Sequence, residues 1–429
     1  MSEQKKIILV GAGCRGRCYT DKSFEMPEQY KVVAVAEPRE ECRDYIKEKH
    51  SLPEEMCFDT WEPLLAMPKF ADIVIIATMD RQHTEPVLAA IEKGYDILLE
   101  KPAAPTPEEC RLIQREAEKK GVNVLVCHVL RYTNFFNTIK DVIDSGELGK
   151  IMSIQHIEAV GNVHHSHSFT RGNWRNSEES TPMILQKTCH DMDIMAWLVG
   201  KKCKKVHSFG ALTYFTEENA PKDAPEYCID GCPHADDCPY NAVKIYYDDK
   251  ENDWFRTTCT KMAKPTDEDV ERAIRTTDYG KCVFKCPNNV VDHQVVNLEF
   301  EDNIYASFTM SSFNKGGREI RIMGTKGELR GSMNSPIIEI YDFLTKKTRE
   351  IDLDKKLLGN TITDGHGGGD RVLLNDIFGT AEYDPFKRAA SHIDGAMSIL
   401  TGISANKSIA TGMPVKPLSL VDIPGFSKR

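Results

Sequence analysis

The chain has 429 residues, 41% hydrophobic and 28% charged, a composition that fits a globular enzyme of two or three domains. Its 65 acidic against 55 basic residues leave a net charge of −10, which argues against a general nucleic-acid binder. No apolar run reaches the ~18 residues of a membrane span, and the N-terminus enters a strand at once rather than a signal peptide, so a cytoplasmic protein with no membrane partner is expected.

The first element is the apolar run "KKIILV", followed directly by Gly11-x-Gly13-x-x-Gly16 and a helical stretch from Arg15. Glycines in such a turn let the backbone approach a pyrophosphate, and the helix N-terminus offers free N–H groups. This makes Gly11, Gly13, Cys14, Arg15 and Gly16 cofactor-binding candidates. A second strand, "YKVVAVAEP", carries Glu37, 21 residues after Gly16, at the offset of an acid that holds a ribose. A carboxylate there favours NAD over NADP, although Arg39 is a cation able to hold a 2′-phosphate. Strands and helices then alternate through "ADIVIIAT", "HTEPVLAAIEKG", "YDILLEKP", "TPEECRLIQREAEKKG" and "VNVLVCHV". Such alternation predicts a doubly wound parallel sheet covered on both faces. Ligands bind outside the carboxyl ends of its strands, which places Thr78, His83, Glu100, Lys101 and Pro102 beside the cofactor.

A glycine-rich first turn, an acid after the second strand and Glu100-Lys101-Pro102 after the fifth resemble the Gfo/Idh/MocA family of nicotinamide-dependent sugar oxidoreductases. The resemblance implies an NAD-binding domain over residues 1–128. It also implies an α+β domain over 129–429, with a large open, mainly antiparallel sheet for substrate binding and oligomerisation. It makes Lys101 a catalytic residue near nicotinamide and substrate. Arg131 and Tyr132, at the entry to the second domain, are substrate-binding candidates.

The second domain opens on the alternating strand "IMSIQHIEAVG". A loop, "GNVHHSHSFTRGNWR", follows with three histidines, Arg171 and Trp174; the arginine and the tryptophan suit a polyhydroxyl or acidic sugar. A His-rich run can bind metal, but no carboxylate or cysteine completes a ligand set nearby, so an active-site or oligomer loop is preferred. Next comes "MILQKTCHDMDIMAWLVG", a core-like stretch that also holds Lys187, His190, Asp191 and Asp193. On a helix Lys187 and His190 share a face, as do His190 and Asp193. The family's helix reads Asp-x-x-x-His-x-x-Asp. His190 and Asp193 match it, but Gln186 stands where the first Asp belongs. The resemblance turns this polar stripe toward the cleft between domains. Either Lys101 or His190 is then the base, with Lys187 beside them.

A cysteine-rich insert at about 216–290 holds Cys228-x3-Cys232-x5-Cys238 and Cys282-x3-Cys286. The set Cys228, Cys232, Cys238 and Cys286, with Cys282 as substitute, fits a structural zinc site; reduced thiols or a disulfide with no metal rank second, and an iron–sulfur cluster third. Seven other cysteines, Cys14, Cys18, Cys42, Cys57, Cys110, Cys127 and Cys203, are scattered and read as buried small apolar residues or inert thiols. Beyond the insert, antiparallel strands lead to "DGHGGGD". Its His366 and Asp370 resemble a pattern of the redox-neutral NAD-dependent glycosidases, which makes His366 a catalytic and Asp370 a substrate-binding candidate. A C-terminal helix closes the second domain.

These readings combine into an NAD-dependent oxidoreductase acting on a hydroxyl of a sugar, polyol or glycoside, with a small carbohydrate as its partner and a homodimer or tetramer as its assembly. A redox-neutral NAD-dependent glycosidase and a catalytically idle NAD-binding protein are the alternatives.

Overall fold

The structure is a computed structural model and describes residues 4–356, 367–379, 384 and 386–423. The apolar runs of the first third form β1 (Lys5–Val10), β2 (Tyr30–Ala36), β3 (Cys57–Phe58), β4 (Ile73–Ile76), β5 (Asp96–Leu99) and β6 (Val124–Val126). They pair only in parallel, in the order β3-β2-β1-β4-β5-β6. Helices cover both faces, which is why β4 can read "IVII" with no polar alternation. The strand order reverses between β1 and β4, so a crevice opens at their carboxyl ends. The helix Cys14–Asp21 starts there.

The second sheet has eight strands: β7 (Ile151–Ala159), β8 (Cys203–Ala211), β9 (His293–Phe300), β10 (Tyr305–Ser311), β11 (Gly317–Gly324), β12 (Gly327–Ser332), β13 (Ile337–Asp342) and β14 (Lys347–Asp352). Their order is β14-β13-β12-β11-β7-β10-β9-β8, and only the β7–β10 pair is parallel. Alternate residues of β7 and β9 are buried and exposed, so one face packs on helices and the other stays open. The insert leaves the sheet between β8 and β9 and builds two small apolar clusters of its own, one around Tyr246, Phe255 and Ile274, the other around Phe215, Tyr240 and Phe284.

The segment after β14 returns to the first domain. Leu373, Leu374 and Phe378 of helix Gly369–Phe378 join the core of Ile7, Leu9 and Tyr30 beneath the first sheet. The 20-residue helix His392–Thr411 packs on β8 and on helix Cys189–Val199, and also on β6.

The stretch expected as one helix from Met183 is two, Met183–Gln186 and Cys189–Val199. Lys187 (φ −109°, ψ −55°) and Thr188 (φ −97°, ψ 11°) form the break. The Thr188 hydroxyl donates to Ile184 O at 3.3 Å, the local side-chain bond that bends helices. Asp193, on the second of these helices, takes a paired hydrogen bond from Arg131 at the exit of the first domain, Nε to Oδ2 at 2.7 Å and Nη2 to Oδ1 at 2.5 Å. Both side chains are buried.

Removing one member of such a pair leaves an uncompensated buried charge. Asp193→Leu is expected to cost about 3–5 kcal/mol in urea unfolding, and the double change with Arg131→Met to recover most of it. A single variant within about 1 kcal/mol of wild type removes the pair as a tie between the turn after β6 and the helix Cys189–Val199.

Candidate active site

The cofactor cradle begins at Gly11, whose φ of +92° and close approach exclude a side chain, since a Cβ there would lie 2.7 Å from Ala77 O. At Gly16 a Cβ would lie 2.0 Å from Gly11 O, so helix and turn pack together only through glycine. Cys14 is exposed at the helix start. Glu37 is buried, and its carboxylate accepts Ala12 N at 2.7 Å and Arg39 Nε at 2.7 Å. Burial raises its pKa, but Arg39 overcomes that and holds it below the usual range. Open helix-terminal N–H groups, a turn that admits no Cβ and an ionised acid at the ribose distance fit a dinucleotide.

Arg15 does not face that turn alone. It reaches down to Glu100, Nε to Oε1 at 2.8 Å, and to Asp370, Nη2 to Oδ1 at 2.6 Å. Tyr19 also donates to Glu100. Burial raises the Glu100 pKa, and Arg15 and Lys101 together bring it below the usual range. Asp370, a substrate-binding candidate in the sequence, is therefore fully buried as the partner of Arg15 and Cys18. His83 is likewise engaged: Nδ1 lies 2.8 Å from Pro102 O and Nε2 3.1 Å from Thr78 O, which ties the loops after β4 and β5 together. Thr78 donates to Gln82 O.

Lys101 leaves the end of β5 and spans to the second domain, where Nζ donates to Gln186 O at 2.5 Å. The helix break makes that carbonyl available. Lys187, the next residue, lies 3.4 Å from Glu158 Oε1 and lines a cavity of about 650 Å³ together with Glu158, His164, Lys315, Arg318 and Asn334. Burial lowers the Lys187 pKa; Glu158 opposes this, while Arg318 and Lys101 add to it. His190 is buried on the adjoining turn, its ring edge-on to His128 with centroids 5.8 Å apart. Gln186, at the family's Asp position, is a strut instead: Nε2 donates to Trp174 O at 2.9 Å and Oε1 accepts from Ser180. Trp174 crosses between domains, Nε1 donating to Asp80 Oδ1 at 3.3 Å, and Thr181 donates to the other Asp80 oxygen at 2.5 Å.

The structure brings Lys101, Lys187 and His190 to one region and takes other candidates elsewhere. Arg131 is committed to Asp193, and Tyr132 is buried in the core of the first sheet. Arg171 is buried under the insert, Nε donating to Lys281 O at 2.9 Å and Nη2 to Tyr240 O at 2.7 Å, so it is a strut and not a sugar ligand. His366 lies outside the described residues. Within the His-rich run, His165 stacks on Phe215 and His167 meets the Tyr246 hydroxyl at 3.0 Å, so both anchor the insert. Only His164 reaches the cavity. Arg318, Glu158, His156, Asp80 and His128 escaped the sequence reading. Arg318 sits in an alternating strand, where an arginine gives no signal of burial.

The zinc centre expected from Cys228, Cys232, Cys238 and Cys286, or Cys282 in substitution, is not supported, and neither is an iron–sulfur cluster. Among the described residues no group of three or more His, Cys, Asp or Glu side chains is placed to hold a metal ion. The physical reason is Arg171, whose guanidinium lies 3.8 Å from Cys228 Sγ and acts electrostatically on Cys238, Cys282 and Cys286, putting a cation among the thiols. All fourteen cysteines are free. Burial pushes the Cys286 thiol up to about 12.

Two family descriptions match this chain: "Oxidoreductase family, NAD-binding Rossmann fold" over residues 5–128 and "Oxidoreductase family, C-terminal alpha/beta domain" over residues 140–416. The putative oxidoreductase YteT of Bacillus subtilis is 25% identical over 96% of this chain and 97% of its own. Inositol 2-dehydrogenase of Corynebacterium glutamicum is 23% identical over 48% of this chain, and the match spans 57% of that enzyme. A solved levoglucosan dehydrogenase, in complex with NADH and levoglucosan, superposes with a TM-score of 0.68 at 16% identity, covering 98% of this chain and all of the other.

Burial holds His165 at a pKa of about 4 and His167 at about 3, against an unfolded value near 6.5. Between those values the unfolded chain takes up protons that the folded chain does not. Stability from these rings is therefore full above pH ~6.5 and falls as pH drops through ~4 toward ~3. Thermal unfolding is expected to show a steeper loss of Tm over this window in wild type than in His165→Phe/His167→Phe. Parallel Tm curves would remove the two rings as the cause.

Proposed function

Because the chain belongs to the Gfo/Idh/MocA oxidoreductase family, we propose that it is an NAD-dependent dehydrogenase of a hydroxyl group on a sugar or polyol. The observation that carries this reading is the Lys101 bridge from the end of β5 to Gln186 O, beside Lys187 and the 650 Å³ cavity. Through Gln186 the bridge reaches the residue before Lys187, which lines that cavity, and this supports an amine close to both cofactor crevice and substrate. NAD, held by the Gly11–Gly16 turn and Glu37, supplies the hydride acceptor when bound. Lys101 takes the hydroxyl proton as the carbonyl forms, and His190 is the second candidate for that proton. Lys187 orients the substrate oxygens. Trp174 and Asp80 hold the two domains at the width of the cleft.

The open face of the second sheet exposes Met152, Ile157, Phe209, Val295 and Tyr305, which supports a homodimer or tetramer. Fourteen free cysteines support a reducing, cytoplasmic setting. No helix among the described residues is long and apolar enough to cross a membrane.

Three measurements test the reading. Lys101→Ala is expected to lower turnover by about 10²- to 10⁴-fold with NAD affinity retained. Full activity in that variant would remove Lys101 as the base and leave His190; aglycone release from glycosides without net NADH at 340 nm would replace the reading with the redox-neutral alternative, and NAD binding without either reaction with the idle one. Glu37→Ala should weaken NAD binding and relax the preference against NADP, because the ribose acceptor and the repelling charge go together; unchanged cofactor preference would overturn that assignment.

A further inference from the structure

The cavity beside Lys187 is positively charged in a chain whose net charge is −10. Among the described lining residues Lys187, Lys315 and Arg318 are cations, against the single carboxylate of Glu158. Glu158 is buried and shared, 3.4 Å from Lys187 Nζ and 2.7 Å from Arg318 Nε. Asp191 lies behind Arg318, 2.7 Å from its Nε, but also answers His156 at 2.8 Å. The two carboxylates thus meet Arg318 and fix its position, while Lys187 keeps only a long contact to Glu158. Lys315 stands exposed at the rim.

The wall is built for approach. Gly316 (φ +96°) and Gly317 (φ +116°) form the turn next to Arg318, and the Asn334 amide packs on that turn, donating to Gly316 O at 2.7 Å and offering a neutral polar group to the cavity. On the other side His164 is held well below the ordinary histidine range by burial and by Lys187, so it meets a ligand as a neutral ring able to bond a hydroxyl. Burial likewise disfavours the charged form of Lys187, which an additional anion would restore. The volume of about 650 Å³ suits one small molecule.

We propose that the substrate is a sugar acid, whose carboxylate lies against Lys187, Lys315 and Arg318 while a hydroxyl-bearing carbon is presented to Lys101. This rests on the dehydrogenase reading for the reaction, but the charge preference is a property of the cavity itself. One negative charge suits the site, because Arg318 already has two carboxylate partners and only the two ammonium groups have capacity left. Arg318 acts as a fixed post; Lys315, exposed and outside the buried network, sets the preference for charge.

The test uses the full chain with NAD and matched pairs: D-glucuronate against D-glucose, and D-galacturonate against D-galactose, with D-gluconate and D-glucose 6-phosphate as further probes. NADH formation and, separately, ligand-induced Tm shifts are read in each case. The acid of a pair is expected to exceed its neutral partner by about 10- to 100-fold in kcat/KM, the value of a charge-assisted contact. Lys315→Glu should lower that ratio at least tenfold, mainly through KM, and raising the salt should do the same. Equal or better use of the neutral sugars, or a preference for the phosphate over every carboxylate, overturns the sugar-acid inference and leaves the dehydrogenase reading standing. If no probe yields NADH but the acids raise Tm more than the neutral sugars and Lys315→Glu abolishes the difference, the inference stands and the dehydrogenase reading falls. If no acid shifts Tm or reduces NAD, the inference falls.

Discussion

Helix Cys189–Val199 carries three polar side chains, His190, Asp191 and Asp193, into an apolar interior, and the architecture follows from how those groups are satisfied. A buried carboxylate costs several kcal/mol in lost hydration unless paired and hydrogen-bonded. Asp193 finds Arg131 at the exit of the first domain; Asp191 finds His156 on β7 and Arg318 at the start of β11. Each partner comes from a different part of the chain. The pairs offset their desolvation more than they add net stability, and they tie the helix to the turn after β6 and to β7 and β11 of the second sheet.

That fixed helix positions the chemistry. Its break at Lys187 and Thr188 would be a defect in a helix whose only task was packing. Here it exposes the Gln186 carbonyl to Lys101, and it turns Lys187 out of the helical row toward Glu158 and the cavity. Gln186, where the resemblance would set an Asp, makes neutral contacts instead. Gln186 holds Trp174 and Ser180, and Trp174 reaches Asp80 across the domain boundary.

The cysteine-rich insert plays a comparable supporting part. Its two small clusters are each too small to be stable alone, and they are held to the sheet through His165, His167 and Arg171. Arg171 is fully buried and bonded to backbone carbonyls, with thiols around it. The His-rich run is thus the root of the insert, and through His164, edge-on to Trp254 of the insert, it also forms a wall of the cavity.

Much of the fold was legible because it depends on local pattern. Continuous apolar strands, glycine spacing and the Glu100-Lys101-Pro102 turn each express a backbone requirement that only certain residues meet, and the alternation of β7 and β9 marks a sheet with one open face. The sequence by itself therefore determined the three-layered nucleotide fold, the cofactor turn and the lysine at its edge. Partnership among charged side chains is different, because it depends on which distant segments meet. Arg131, Asp370 and Arg171 had the same look as ligands in the sequence. Only the tertiary structure decided that each is a strut, paired with Asp193, Arg15 or buried carbonyls, and that Arg318, more than a hundred residues from Lys187, faces the cavity. Desolvation makes that difference: an ion pair at 2.7 Å in the interior and a free charge at a cavity wall are the same residue type in different dielectric surroundings, and no local pattern records which one the fold will provide.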